Sequence, residues 1–300
     1  MAESSDAPPR LVRSIVRDLL ATAVASLQES AVSTPRLDAE LLLASAVNKT
    51  RMWLLTHPDA HLAPDTADRF DQSIKRRCRR EPVSRILGKR DFWSHTLEVT
   101  PAVLDPRPDS ETVIETVLEA VDQQTKQDRL LIADLGTGSG CLLLALLAEL
   151  PMAFGVGVDR ELAAVIVARR NARALGLDER ASFIVGDWGA ALNSGCDIVV
   201  CNPPYLTSQE LEIVQPEVRF DPPAALDGGS DGLDAYRAIV PELCALLAVN
   251  GQAFLEVGYT QAVALGQLAN DTGLIVAAVK VDLAGHDRCV VLGPAAPPHT

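Results

Sequence analysis

The sequence predicts an α/β protein: a seven-stranded, doubly wound sheet, mostly parallel, with a C-terminal antiparallel hairpin, preceded by a small all-helical domain. Three observations predict it. From Leu130 onward, short apolar runs alternate with segments of helical period, the pattern of parallel strands covered on both faces. The last two strands are joined by the short loop Asp282–Arg288, which leaves no room for a helix, so they must pair antiparallel at one edge. Residues 11–80 show helical spacing and no strand-like alternation.

In chain order, Leu11, Ile15, Val16, Leu19, Leu20 and Ala23 mark a first helix. Ser33-Thr34-Pro35 supplies a capping hydroxyl and a first-turn proline for a second, with Leu37, Leu41, Leu42 and Ala44. Pro64–Arg80 reads as a third. Short extended pieces at Phe92-Trp93, Leu97, Val99 and Val103-Leu104, broken by Pro101, Pro106 and Pro108, fit a linking hairpin. Asp109-Ser110-Glu111 then caps a helix to about Val121. Strands follow at Leu130–Asp134, Phe154–Val158, Ser182–Val185, Asp197–Cys201, Ala253–Val257, Leu274–Val281 and Cys289–Leu292. The intervening helices are Cys141–Leu150, Glu161–Leu175, Leu233–Ala248 and Gln261–Thr272. The domains expected are 1–90 helical, 91–108 hairpin linker and 109–300 catalytic.

Composition narrows the function. With 27 Lys and Arg against 40 Asp and Glu, the formal charge is −13, which argues against non-specific nucleic-acid binding. Lys75–Arg90 is the exception, with eight basic residues and one acid, Glu81, and reads as a solvated helix face and turn; a patch for ribosomal RNA or an acidic protein is the sharper alternative. The six cysteines form no C-x-x-C pair, so scattered buried thiols are expected and no metal site. Met1–Arg10 lacks a signal-peptide core, and the densest apolar run, Cys141–Ala148, is far too short for a membrane span. The expected location is the cytoplasm, with no membrane partner.

Four motifs carry chemistry. Asp134-Leu135-Gly136-Thr137-Gly138-Ser139-Gly140 follows a strand and opens a helix, where glycines permit a sharp turn and close ligand approach. Such a loop often holds a pyrophosphate, but the carboxylate of Asp134 suits a cation such as the amino-acid end of S-adenosylmethionine better. Asp159, ending the next strand, is placed to accept from both ribose hydroxyls; helix capping is the plain alternative. Asp187-Trp188, after the third strand, sits where adenine would lie, with Asp187 accepting from its amine and Trp188 packing on the ring. The strongest motif is Asn202-Pro203-Pro204-Tyr205, after the fourth strand. A planar nitrogen is a poor nucleophile; the Asn202 side-chain oxygen and the Pro203 carbonyl can each accept one of its N–H groups and aim the lone pair. Two prolines stiffen the loop, and Tyr205 can pack on the flat group. Together the motifs indicate S-adenosylmethionine-dependent methylation of an amide or amino nitrogen.

The chain resembles the peptide-chain release factor N5-glutamine methyltransferases, the HemK family, over nearly its whole length. The resemblance rests on Arg36-Leu37-Asp38-Ala39-Glu40-Leu41-Leu42, on Glu81-Pro82 through Ile86-Leu87-Gly88 and Phe92-Trp93, and on Pro106-Arg107-Pro108-Asp109-Ser110-Glu111. It continues through Asp221-Pro222-Pro223-Ala224-Ala225-Leu226-Asp227-Gly228-Gly229, Asp231-Gly232-Leu233 and Asp282–Arg288. It implies the class I methyltransferase sheet. Gly136–Gly140, Asp159 and Trp188 would contact the cofactor, and Asn202–Tyr205 the glutamine amide. The substrate implied is the Gly-Gly-Gln loop of class 1 release factors, with the helical domain aiding recognition. Departures from the pattern stand at Ser84-Arg85, Asp105 and His286, none in the asparagine motif. A ribosomal-protein glutamine methyltransferase is the alternative sharing that motif, and a nucleic-acid adenine N6-methyltransferase the more distant one. A non-catalytic binding module would have little reason to combine an intact donor loop with Asn202–Tyr205.

Overall fold

A computed structural model describes residues 15–121 and 129–294. Its contacts divide the chain between Leu87 and Gly88, so the hairpin belongs wholly to the second unit.

The first unit comprises α1 (Val16–Glu29), α2 (Pro35–Ala46), α3 (Arg51–Thr56), α4 (Pro64–Cys78) and α5 (Val83–Leu87). Val16, Leu20, Ala23 and Leu27 form one stripe of α1 and pack with Leu42 and Leu43 of α2 and Phe70 and Ile74 of α4. The helical period visible in the sequence is therefore the buried stripe; Leu11 lies outside the described residues. The brief α3 and α5 were too short to show a period. Two expectations are corrected here. The Thr34 hydroxyl does not cap α2 but donates to Asp38 Oδ1 at 2.8 Å, because Asp38 is buried and needs partners. The basic segment is not simply a solvated face: Arg77 and Arg85 are buried, and Arg77 Nε donates to Asp38 Oδ2 at 2.7 Å.

The second unit opens with an antiparallel hairpin, β1 (Lys89–Phe92) and β2 (His95–Glu98), earlier in the chain than the sequence suggested. Phe92 and Leu97 anchor it in the main core. A 3₁₀ turn, Pro108–Ser110, leads into α6 (Glu111–Ala120). There follow β3 (Leu131–Leu135), α7 (Cys141–Glu149), β4 (Phe154–Asp159), α8 (Leu162–Ala174), β5 (Ala181–Val185), β6 (Cys196–Cys201) and α9 (Ser208–Ile213). The chain closes with α10 (Asp234–Leu246), β7 (Leu247–Glu256), α11 (Ala262–Asp271), β8 (Leu274–Val281) and β9 (Asp287–Pro294). β7 begins within the span expected to be helical, because Leu247 already pairs with Cys196.

The seven strands run in the order β5-β4-β3-β6-β7-β9-β8. All are parallel except β9, which runs antiparallel to β7 and β8. The terminal hairpin is thus present, with β9 inserted and β8 at the edge. One face is covered by apolar residues of α6, α7 and α8, the other by those of α10 and α11. The order of strand addition reverses at β3, with β4 and β5 laid to one side and β6 and β7 to the other, which opens a crevice at the carboxyl ends of the central strands. Register aligns those ends: Leu135 sits beside Val158 and Cys201, and Asp159 beside Val185. Gly157 keeps the layers close, since a Cβ there would meet the Phe183 ring at 2.6 Å and Thr137 Oγ1 at 2.8 Å. Among the described residues, no helix is long and apolar enough to cross a membrane.

Candidate active site

The register places the glycine loop after β3, Asp159 ending β4, Asp187-Trp188 after β5 and Asn202 after β6 along one edge of the sheet. They surround a cavity of about 430 Å³, ordinary for a cofactor-sized ligand. Asp134, Gly136, Thr137, Gly138, Ser139, Asp159, Asp187, Trp188, Asn202 and Pro204 line it. Gly140, Pro203 and Tyr205 do not: Gly140, at φ +83°, turns the chain into α7, Pro203 is buried, and Tyr205 turns away.

The loop's own hydrogen bonds decide what it can hold. The Gly136 and Thr137 amides both donate to Val158 O at 2.9 Å, the Gly138 amide to Asp159 Oδ2 at 2.9 Å, and the Gly140 amide to Thr137 O at 2.8 Å. Those four N–H groups are spent within the fold and form no anion cradle. The carboxylates on the wall, Asp159 and Asp187 among them, would repel a phosphate further. Arg107, also on the wall, is neutralised by an ion pair to Asp221.

Asp134 is buried beneath the loop, its Oδ2 accepting from Thr137 Oγ1 at 2.6 Å. Burial pushes its carboxyl up to about 7, against the pull of the Thr137 hydroxyl and the Leu143 amide; the nearby Asp159 charge raises it further. Asp159 Oδ1 accepts the Glu161 amide at 2.9 Å, so this residue supports the start of α8 as well as the loop. Burial raises its pKa, opposed by those two amides. Trp188 adopts φ +44°, and its ring lies so close to Gly136 that a Cβ there would meet it at 3.2 Å. The ring and the bare glycine form one flat slot, a shape suited to a planar base.

Asn202 Nδ2 donates to Ser110 Oγ at 3.0 Å. This corrects the capping expectation for Asp109-Ser110-Glu111: Ser110 makes no side-chain cap on α6, because its hydroxyl is committed to the site. The Tyr205 hydroxyl donates to Glu256 Oε1 at 3.2 Å, and the Tyr205 carbonyl accepts from Gln261 Nε2 at 2.9 Å. Burial drives its phenol well above the usual range, with the Glu256 charge adding to the shift, so it stays a donor.

The motif reading missed several supporting residues. Asp221 joins two segments of the wall, accepting the Asp105 amide at 3.0 Å and pairing with Arg107. Asn171 of α8 donates to Ser139 O at 2.9 Å and to Glu98 O at 3.1 Å, tying β2 to the glycine loop. Asp221 and Arg107 lie in segments the resemblance had marked, whereas Asn171 shows only as a polar residue on a buried helix face. Glu256 was visible as a lone carboxylate in the apolar run Ala253–Val257.

Comparison with known proteins places this geometry. A family model described as "PrmC N-terminal domain" matches residues 18–88, and one described as "Methyltransferase small domain" matches residues 110–219. The release factor glutamine methyltransferase of Rhodospirillum rubrum is 45% identical over 279 residues, covering 91% of this chain and 85% of that protein. The enzyme of the same name from Moorella thermoacetica is 43% identical over 276 residues, covering 91% of this chain and 96% of its own. Among solved structures, the hMettl16 catalytic domain in complex with MAT2A 3'UTR hairpin 6 superposes with a TM-score of 0.53 at 15% identity, covering 68% of this chain and 77% of that one, a likeness of fold. With relatives of this identity over nine tenths of its length, the chain belongs to the release factor glutamine methyltransferase family.

Proposed function

We propose that this enzyme transfers a methyl group from S-adenosylmethionine to the side-chain N5 of the glutamine in the Gly-Gly-Gln motif of class 1 release factors, in the cytoplasm. The observation that supports the reading best is the fixed side chain of Asn202: with Nδ2 held by Ser110, Oδ1 is left as the acceptor toward the cavity. The residues fit the cofactor, since the cavity offers carboxylates, a flat indole slot and a glycine loop with its amides occupied. Asp134 would face the cofactor's ammonium group, Asp159 its ribose hydroxyls and Trp188 its base.

When bound, S-adenosylmethionine supplies an electrophilic methyl group on a sulfonium. Asn202 Oδ1, on the cavity wall, accepts one N–H group of the glutamine amide and directs its lone pair along the transfer line; the motif assigns the second N–H to the neighbouring Pro203 carbonyl. The nitrogen gains the methyl group and releases one proton to solvent. No strong base is required, and alignment carries much of the acceleration. The helical domain is assigned to recognition of the release factor.

The test is mass spectrometry after incubation with intact release factor, its Gln→Ala variant, a Gly-Gly-Gln peptide, a ribosomal-protein fraction and duplex DNA. One methyl on the intact factor, none on the variant and little on the peptide is expected, because remote contacts contribute to alignment. A mass gain only on the ribosomal fraction or on DNA would overturn the reading in favour of that acceptor.

The raised pKa of Asp134 gives a second expected result. A cationic ligand pairs with the ionised carboxylate, so below about pH 7 binding must expel a proton. Affinity for S-adenosylmethionine should therefore strengthen by about fivefold as pH rises from 6 to 7 and by no more than about twofold from 7 to 8. Calorimetric titration should show the slope in the wild type and a flat profile in Asp134→Asn. An equal slope in both proteins would remove Asp134 from the cation's environment.

A further inference from the structure

Tyr205 closes the asparagine motif, yet it stands outside the cavity wall and is held at both ends from the far side. Its hydroxyl donates to Glu256 Oε1 at 3.2 Å, and its carbonyl accepts from Gln261 Nε2 at 2.9 Å. Gln261 holds two further groups. Its Nε2 also donates to Gly232 O at 3.2 Å, and its Oε1 accepts the Gly258 amide at 3.0 Å. The side chain is buried, and both N–H bonds of its amide are spent on main-chain carbonyls. Gln261 occupies the N-cap of α11 without capping that helix, a position where a short hydroxyl or carboxylate side chain is the ordinary choice.

The surroundings are shaped to this side chain. A Cβ on Gly232, at φ +76°, would run into Gln261 Nε2 and meet Tyr205 O at 2.5 Å, and one on Gly258 would meet Gln261 Oε1 at 2.9 Å. The segment before Gly232 is paired with the exit of the motif: the Leu206 amide donates to Leu226 O at 3.0 Å, and Leu206 O accepts the Gly228 amide at 2.8 Å. The peptide between Tyr205 and Leu206 is thus held on its carbonyl side by Gln261 and on its N–H side by Leu226.

The consequence lies across the two prolines. Cys201 is fixed in the sheet between Leu135 and Leu255. From there to Tyr205 the chain runs Asn202-Pro203-Pro204. Prolines have no N–H to donate, and their rings hold φ at about −65°. Such a segment is stiff but brings few hydrogen bonds of its own, so it acts as a strut located by its two ends. One end is the last residue of β6, and the other is Tyr205. The Asn202 side chain and the Pro203 carbonyl both ride on it. Resting on the amide clamp of the proposed function, we infer that Gln261 is a positioning residue for the methylation reaction: by tying the Tyr205 carbonyl to the Gly232 turn it fixes the far end of this strut, and with it the direction of the acceptors offered to the glutamine amide. It touches neither substrate nor cofactor. Its effect belongs to the alignment of the nucleophile, and so to kcat.

Two variants separate the hydrogen bonds from the packing. Gln261→Met keeps the length and loses all three bonds. Gln261→Glu keeps the acceptor for Gly258 but sets a carboxylate against two carbonyl oxygens, until protonation returns one donor. With intact release factor and both substrates saturating, each should lose about 10–10²-fold in kcat at about pH 8.5, the scale of a displaced reacting group, with the KM for S-adenosylmethionine within about twofold of wild type. Burial beside two carbonyls raises the pKa of the new carboxyl, so at about pH 6 Gln261→Glu should recover at least about threefold relative to wild type, while Gln261→Met keeps a constant ratio. The charged groups nearby are Glu256, Arg288 and Asp109 around Tyr205, and Asp231 and Asp234 beside Gly232. All are common to the three proteins, so the ratio isolates the new carboxyl. In the free enzyme, the Asn202 side-chain amide resonances, assigned by their loss in Asn202→Ala, should shift in both variants, with thermal unfolding to confirm that each is folded. These resonances need no substrate, so they decide the inference even if the release factor proves to be the wrong acceptor. The inference is overturned if Gln261→Met turns over within about threefold of wild type, if the kcat ratio of Gln261→Glu is the same at both pH values, or if the Asn202 resonances stay in place. Should Gln261→Met fail to fold, the pH dependence and resonances of Gln261→Glu decide it alone.

Discussion

Asn202→Ala is expected to reduce kcat by about 10²–10³-fold, the range for removing one preorganised polar contact to a reacting group. S-adenosylmethionine affinity should change little. The side chain is half-buried at the end of β6, and its packing is slight compared with its polar role. Ala removes the acceptor for one substrate N–H and leaves Ser110 Oγ without its Asn202 donor. The loss should appear in single-turnover rates, because an interaction made with the nucleophile is realised as the lone pair turns toward the methyl group. Asn202→Asp should also lose turnover: it keeps an oxygen toward the cavity but replaces the Nδ2 donor to Ser110 Oγ by a second acceptor, so the hydrogen bond that orients the side chain is lost. Single-turnover rates in Asn202→Ala close to wild type would show that the nitrogen is held by other groups.

Asp159→Ala is the second large effect, and falls on the cofactor. The carboxylate does two jobs at once: Oδ2 takes the Gly138 amide and Oδ1 the Glu161 amide, and each oxygen retains a lone pair for a ribose hydroxyl. Charge-assisted hydrogen bonds are worth about 1.5–3 kcal/mol each, so losing two should weaken S-adenosylmethionine binding by at least about 10²-fold. The freed Gly138 amide loosens the loop and adds to the loss. Asp159→Asn divides the contributions: its one carbonyl oxygen can serve only one of the two amides, and affinity should fall by an intermediate factor. Calorimetric titration measures both, with thermal unfolding to confirm that each variant is folded. Unchanged affinity in a folded Asp159→Ala protein would assign the residue to loop support alone.

Much of this site was legible in the chain. Asp134–Gly140, Asp159 and Asn202–Tyr205 each stand where a strand pattern ends, and in a parallel sheet the ends of strands share one edge. Ser110 was not legible as a site residue. Ser-Glu before an apolar period is a helix-start signature, and only the approach of Asn202 from β6 redirects the hydroxyl. Tyr205 was expected to pack on the substrate group, but its hydroxyl turns to Glu256, outside the cavity wall. The roles of Asp221 and Asn171 depend on partners 116 and 73 residues away in the chain, beyond any local pattern.

By itself the sequence determined the helical first unit, the alternation of strands and helices, the antiparallel hairpin at the end and the four motifs at strand ends. These follow from local rules: a period of 3.6 or 2 residues fixes which face is apolar, and glycine or proline fixes where the backbone can turn. The tertiary structure alone decided the insertion of β9 between β7 and β8, the crossing point that opens the cavity beside β3, and the hydrogen bond that ties Asn202 to Ser110. The physical reason is that a buried polar group takes whichever partner the packing of distant elements brings within hydrogen-bond reach, and no neighbour in sequence announces which one that will be.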